Sequence, residues 1–206
     1  VVGGEPPADD APTPVESEAS RRRRTTAFLV EAAKRGDLKA VEAALEAGVA
    51  PNPPSNPLTD LFVTKQLTAL HWAVTRRISD GETIEPSVEL VKLLIEAKAD
   101  VNAADHLGQT PLEWAVKHAS PDIVRMLIEA GADVNAESRY GTVLTAGRRV
   151  DIAKLLIDAG ADVNTGSFTP MANAAKYGNA ELIRLLVKNG AKVNDPRDPP
   201  IHWAGK

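Results

Sequence analysis

The sequence predicts an all-α solenoid of stacked helix-turn-helix units joined by β-turn fingers, about five units long with a partial C-terminal sixth. Three observations lead there. First, a four-residue phrase recurs: Ala-Asp-Val-Asn at Ala99 to Asn102, Ala132 to Asn135 and Ala161 to Asn164, then Ala-Lys-Val-Asn at Ala191 to Asn194. Its valines Val101, Val134, Val163 and Val193 stand 33, 29 and 30 residues apart, a period typical of stacked arrays. Second, each copy follows an amphipathic stretch (Leu90 to Ala97, Ile123 to Ala130, Ile152 to Ala159, Leu182 to Asn189). Third, related phrases recur upstream, as Thr68-Ala-Leu-His-Trp-Ala73, Thr110-Pro-Leu-Glu-Trp-Ala115, Thr169-Pro-Met-Ala-Asn-Ala174 and Pro199-Pro-Ile-His-Trp-Ala204.

Local chemistry explains one such unit. Thr110 is a good N-cap, and Pro111 suits the first helical position because its missing N–H is unneeded there. Leu112, Ala115 and Val116 then form one apolar stripe. Ser120 or Pro121 starts a second helix on which Ile123, Val124, Leu127 and Ile128 face one way. Gly131 supplies the left-handed residue that stops it. Helices this short are marginal alone, so neighbouring units must stack to bury their faces.

These motifs resemble the ankyrin repeat, whose pattern runs roughly G-x-T-P-L-H-x-A-A, a turn, I-V-x-L-L, then G-A-D-V-N. The resemblance covers about 180 of the 206 residues. In chain order, residues 1–25 are expected to be a disordered acidic and Pro-rich arm ending in the basic run Arg21 to Arg24. The repeat domain is expected over 26–206. Residues 26–52 form an irregular first unit, where Ala27-Phe28-Leu29-Val30 replaces Thr-Pro-Leu-His, as in an N-terminal cap. Units near 67–102, 108–135, 141–164 and 166–194 follow, with a partial one at 199–206. The unit at 67 carries an insertion near Thr75 to Ser87 that must bulge between its helices, and the Pro-rich stretch Pro51 to Gln66 lengthens the preceding finger. The unit at 141 is about one helical turn short, and Lys98 stands where glycine is usual.

Composition closes off several chemistries. With no cysteine there is no disulfide, thiolate metal site or cysteine nucleophile. A net charge of -4 argues against a dedicated nucleic-acid binder. No apolar run approaches a membrane span, and no signal peptide is visible. The chain opens without an initiator Met, as expected of a processed product or an excised fragment. Val1-Val2-Gly3-Gly4 looks like the mature N-terminus of a chymotrypsin-like protease, but no Gly-Asp-Ser-Gly setting follows. His71 and His202 occupy the family's Thr-Pro-Leu-His slot, where the resemblance implies an imidazole that ties backbone segments together. His106 and His118 have no carboxylate or second histidine at metal-ligand spacing. No catalytic, cofactor or metal residue is therefore expected, and no small-molecule substrate.

The resemblance implies a non-catalytic adaptor or scaffold, monomeric on its own, that binds another protein in a concave groove of finger tips and first helices. The candidate partner-binding residues are His106, Leu107, Gln109, Glu113, Trp114, Lys117, Arg139, Tyr140, Arg148 and Phe168. Trp72, Trp114 and Trp203 share one repeat slot and read primarily as packing between first helices. Tyr140 and Phe168 either sit exposed on their turns, as binding residues do, or fold back onto the adjoining helix. The resemblance also implies that Asn102, Asn135, Asn164 and Asn194 brace the hairpins, and that such asparagines are open to hydroxylation. Thr25 and Thr26, beside the arginines, are candidate phosphorylation sites at the entry to the first helix, although the run also reads as a plain solvated charge cluster. An array without enzyme motifs or membrane signals is expected in cytoplasm or nucleus. A regulatory or targeting segment of a larger enzyme or channel is the alternative.

Overall fold

A computed structural model describes residues 18–52, 67–79, 81–166 and 168–195. Five helix pairs follow one another: α1 (Glu18–Arg35) with α2 (Leu38–Glu46), α3 (Ala69–Ala73) with α4 (Val88–Glu96), α5 (Pro111–His118) with α6 (Pro121–Glu129), α7 (Val143–Ala146) with α8 (Val150–Asp158), and α9 (Pro170–Lys176) with α10 (Ala180–Lys188). First helices contact first helices, second contact second, and partners within a unit pack together. The result is two parallel rows around one thin core.

The caps are those the pattern calls for. The hydroxyls of Thr68, Thr110, Thr142 and Thr169 accept the N–H three residues on, which satisfies a donor that a helix start leaves open. Asp37, Ser87, Ser120 and Asn179 do the same for second helices, whereas Arg149 at the start of α8 makes no such bond. Each layer centres on a few aliphatics: Leu29, Leu70, Leu112, Leu144 and Met171 in the first row and Val41, Leu94, Leu127, Leu156 and Leu186 in the second are at most 2% exposed. Burying each such side chain stabilises the stack by about 1.5 to 3 kcal/mol.

The recurring Ala-Asp-Val-Asn phrase has two jobs. Within a unit, the aspartate caps its own turn, with Asp100, Asp133 and Asp162 accepting the N–H of Asn102, Asn135 and Asn164 at 2.8 to 2.9 Å. Between units, each asparagine amide reaches the next finger. Asn102 donates to Gly131 O and accepts from Asp133 N, Asn135 does so with Gly160 and Asp162, and Asn164 with Gly190 and Lys192. Asn52 starts this ladder, bonding Lys98 O and Asp100 N at 3.0 and 2.7 Å. The unit that Asn194 is expected to brace, with His202 and Trp203, lies outside the described residues.

Several departures from expectation have physical reasons. Helix α1 starts at Glu18, so Arg21 to Arg24 are helical residues and not the end of a disordered arm. Arginine, alanine and glutamate are good helix formers, and a helix nucleated on buried Leu29, Ala32 and Ala33 propagates cheaply into them. The outward side of this first unit is not the polar face that an end cap usually shows; Phe28, Ala43, Ala47 and Val49 line an open groove of about 490 Å³. The insertion after α3 folds as a hairpin, β1 (Arg77–Ser79) antiparallel to β2 (Glu82–Ile84). Its Arg77 guanidinium caps two helix ends at once, donating to Ala33 O and Lys34 O of α1 and to Trp72 O of α3. The lengthened finger over 53–66 lies outside the described residues. Lys98 adopts φ 66, the position that Gly131, Gly160 and Gly190 fill at φ 91, 94 and 86. Holding a lysine there costs on the order of 1 kcal/mol. Helix α7 has four residues, as the short spacing implied.

Candidate functional site

The side of the stack formed by the first helices and the fingers collects most of the expected site residues. Asp105, in the finger between α4 and α5, organises the turn that presents them. Its Oδ1 accepts the N–H groups of Leu107 and Gln109 at 2.8 and 2.9 Å, and its Oδ2 accepts the Trp114 indole N–H at 3.3 Å. The carboxylate is 1% exposed, so it holds the turn and presents nothing to a ligand.

Gln109 and Glu113, expected on the surface, are interior. They are 5% and 2% exposed. The Gln109 amide donates to Glu113 Oε1 at 2.6 Å, and Lys117 Nζ reaches the same oxygen at 2.8 Å. A buried carboxylate needs such partners, and Lys117, one turn on, supplies the charge from the helix surface. Gln109 O in turn accepts from His71 Nε2 at 3.1 Å, across the unit boundary. His71 is fully buried, and its Nδ1 receives the Thr68 N–H at 3.2 Å and lies 2.9 Å from the Thr68 hydroxyl. With Nδ1 accepting from backbone, the proton sits on Nε2. The histidine ties two units together.

Trp114 packs its ring edge-on to His71 at 6.2 Å and lies 6.0 Å from His118. Trp72 is held between Lys34 and Arg77, each 5.6 Å from the ring centre. Both indoles are half-buried, the packing arrangement the repeat slot favours. His118 is more open, yet burial and the neighbouring Lys117 charge hold its pKa below the ordinary 6.5.

What remains outward is a set of aromatic rings with cations on their faces. Tyr140 is 56% exposed at the tip between β3 (Glu137–Ser138) and β4 (Gly141–Thr142), and Lys117 Nζ stands 5.5 Å from its ring. Arg148 lies 4.0 Å over the ring of Tyr177, which is 51% exposed and also meets Lys176 at 5.6 Å. Lys176 is 5.7 Å from Phe168, whose ring is half-buried. Of the two turn aromatics, then, Tyr140 stands out from the surface and Phe168 is partly folded against it. His106 and Arg139 are exposed and Leu107 half-buried; the Arg139 N–H bonds Leu107 O at 3.0 Å and links adjacent fingers. Tyr177 was not among the expected residues. Its signal in the sequence is a bulky ring in the slot between a first helix and Gly178.

The candidate phosphorylation residues lie within α1, not at its entry. Thr26 is 5% exposed, which closes it to a kinase in this conformation. Thr25 is half-buried and donates its hydroxyl to Arg21 O and Arg22 O at 3.1 and 2.9 Å. Among the described residues no three His, Asp or Glu side chains are grouped to hold a metal ion, and no helix is long and apolar enough to cross a membrane.

A protein-family model described as ankyrin repeats (3 copies) matches residues 29–138 and 142–205. No curated protein compared with the chain matches it.

Proposed function

The chain belongs to the ankyrin-repeat family, whose members are generally protein–protein interaction modules and typically non-catalytic, and from that premise we propose that it is an adaptor that binds a partner protein along its first helices and finger tips. The observation that carries this reading is the exposure of Tyr140 and Tyr177 beside Lys117, Arg148 and Lys176, on a scaffold in which, among the described residues, no buried side-chain nitrogen or oxygen lacks a hydrogen-bond partner. Exposed aromatics and cations on one side of a stack are the residue types that dominate interface energetics. The ladder of Asn52, Asn102, Asn135 and Asn164 fixes the spacing of the fingers before any partner arrives. A partner therefore binds without an ordering cost on this side.

The test is the double substitution Tyr140→Ala/Tyr177→Ala in a quantitative pull-down from lysate of the source cells. Capture of the specific partner is expected to fall at least about tenfold, since two interface aromatics commonly contribute more than 1 kcal/mol each. The thermal midpoint should move by only a few degrees. Unchanged capture would remove the proposed surface.

A further inference from the structure

One asparagine stands where the fold asks for no amide. The second helices α2, α4, α6, α8 and α10 are capped at their C-termini by Ala47, Ala97, Ala130, Ala159 and Asn189. Each cap is followed by a residue of positive φ: Gly48, Lys98, Gly131, Gly160 and Gly190. Four units therefore close their second helix on an inert methyl side chain, and the fifth closes it on an amide beside a glycine. Of the nine asparagines in the chain, Asn189 alone precedes glycine; the others precede proline, alanine, threonine or aspartate.

That neighbour decides the chemistry. An asparagine carries its Cγ within reach of the next residue's backbone nitrogen, and attack there closes a five-membered ring. A side chain on the next residue crowds the attacking nitrogen, and glycine has none. Asn189 and Gly190 are both exposed, and a side-chain carbon at Gly190 would meet nothing within 4 Å, so solvent reaches the bond. The folded cap holds the reaction off. Asn189 Nδ2 donates to Leu185 O at 2.8 Å, and the Gly190 N–H is bonded to Val187 O at 3.0 Å. Amide and nucleophile are each tied to a carbonyl of α10, and ring closure needs both released. Bonds at a helix end open locally, without global unfolding.

We propose that Asn189 is a site of spontaneous deamidation that proceeds when the α10 C-cap frays, and that conversion there disconnects the last described rung of the asparagine ladder. Gly190 N attacks Asn189 Cγ, the Cγ–Nδ2 bond breaks, and the Nδ2 group leaves as ammonia with the proton that Gly190 N gives up. Water then opens the succinimide at one carbonyl or the other, giving aspartate or isoaspartate. Neither product suits the cap. Aspartate loses the donor to Leu185 O and puts a negative charge at the negative end of the helix dipole. Isoaspartate adds a methylene to the backbone just before Gly190, whose carbonyl accepts from Asn164 Nδ2 at 3.1 Å. Two residues on, the Lys192 N–H donates to Asn164 Oδ1 at 2.8 Å. Conversion thus loosens the turn after α10 from the turn after α8, and water does not reverse it.

The test is incubation of the intact chain in neutral buffer over weeks, with its proteolytic peptides weighed at intervals. The peptide holding Asn189 is expected to gain about 1 Da, as two isomeric products, at least about tenfold faster than peptides holding the other asparagines. Asn164→Ala, which removes the amide from Gly190 O, should speed conversion several-fold in a chain that a thermal melt shows still folded. A synthetic peptide of residues 184–195, with no fold to hold the cap, should convert faster still. Asn189→Asp should raise amide hydrogen exchange across residues 186–192 and leave α5 unchanged. No mass gain at Asn189, or a gain no faster than at Asn194, overturns the site. Equal rates in the parent chain, Asn164→Ala and the peptide overturn control by the cap, and unchanged exchange in Asn189→Asp overturns the loosening.

Discussion

Replacing His71 by alanine is expected to lower the unfolding free energy by about 3 kcal/mol, the sum of two buried groups left without partners. The Thr68 N–H loses its acceptor at Nδ1, and Gln109 O loses the Nε2 proton that ties the finger between α4 and α5 to α3. The ring also supports the edge of Trp114, so a void adds to the loss. Acid should act through the same side chain. Burial holds the His71 pKa below the ordinary 6.5, so as pH falls below 6.5 the unfolded chain takes up a proton that the folded chain refuses. Stability from this group is thus complete above about 6.5 and declines below it, by up to about 1.4 kcal/mol per pH unit, until the folded pKa is reached. His118 adds to the loss in the same direction. Urea unfolding at pH 7.5 and 5.5 checks both statements. The acid loss should be smaller in His71→Ala than in the parent chain; equal losses would contradict the account of the tie.

The second large effect is expected at Leu156, which is fully buried in α8. Leucine-to-alanine changes at such sites cost about 2 to 5 kcal/mol. The location matters as much as the amount. This unit has the shortest first helix, four residues, and its second helix starts at Arg149 without a side-chain cap. Solenoid stability is a sum of unit terms and neighbour terms, so cooperativity breaks first where both are small. Leu156→Ala is expected to split thermal unfolding into two steps, with the helices before α7 outlasting those after it or the reverse. The same change at Leu127 of α6, in a unit whose two helices are both capped, should cost a similar amount and leave one transition. A single sharp transition in Leu156→Ala with less than about 1 kcal/mol lost would contradict this view of the short unit.

The repeat was readable because it is built from local chemistry: Thr-Pro at a helix start, Gly or a strained Lys98 at its end, and Asp and Asn at fixed places in the turn. What escaped depends on contacts between units. Asn52 begins the amide ladder, yet Val49-Ala50-Pro51-Asn52 has lost the Ala-Asp that marks the other copies. Glu113 and Lys117 have the i,i+4 spacing of an ordinary surface pair, yet the carboxylate is 2% exposed and bonded to Gln109 of the finger before α5. Tyr140 and Phe168 look alike in sequence and each has a lysine by its ring; what sets Phe168 apart is the Thr145 hydroxyl of α7 bonded to its carbonyl, a contact between units. The hairpin in the insertion was visible as extra length, and its use of Arg77 as a shared helix cap was not.

One side of the prebuilt stack is expected to meet a partner and the other is not. Placing a photo-crosslinking phenylalanine at Tyr177 or Tyr140, and separately at exposed Lys154 on α8, measures this directly in lysate. Covalent adducts to another protein are expected at Tyr177 and Tyr140 and should be absent at Lys154. Adducts formed equally at all three positions, or only at Lys154, would contradict it.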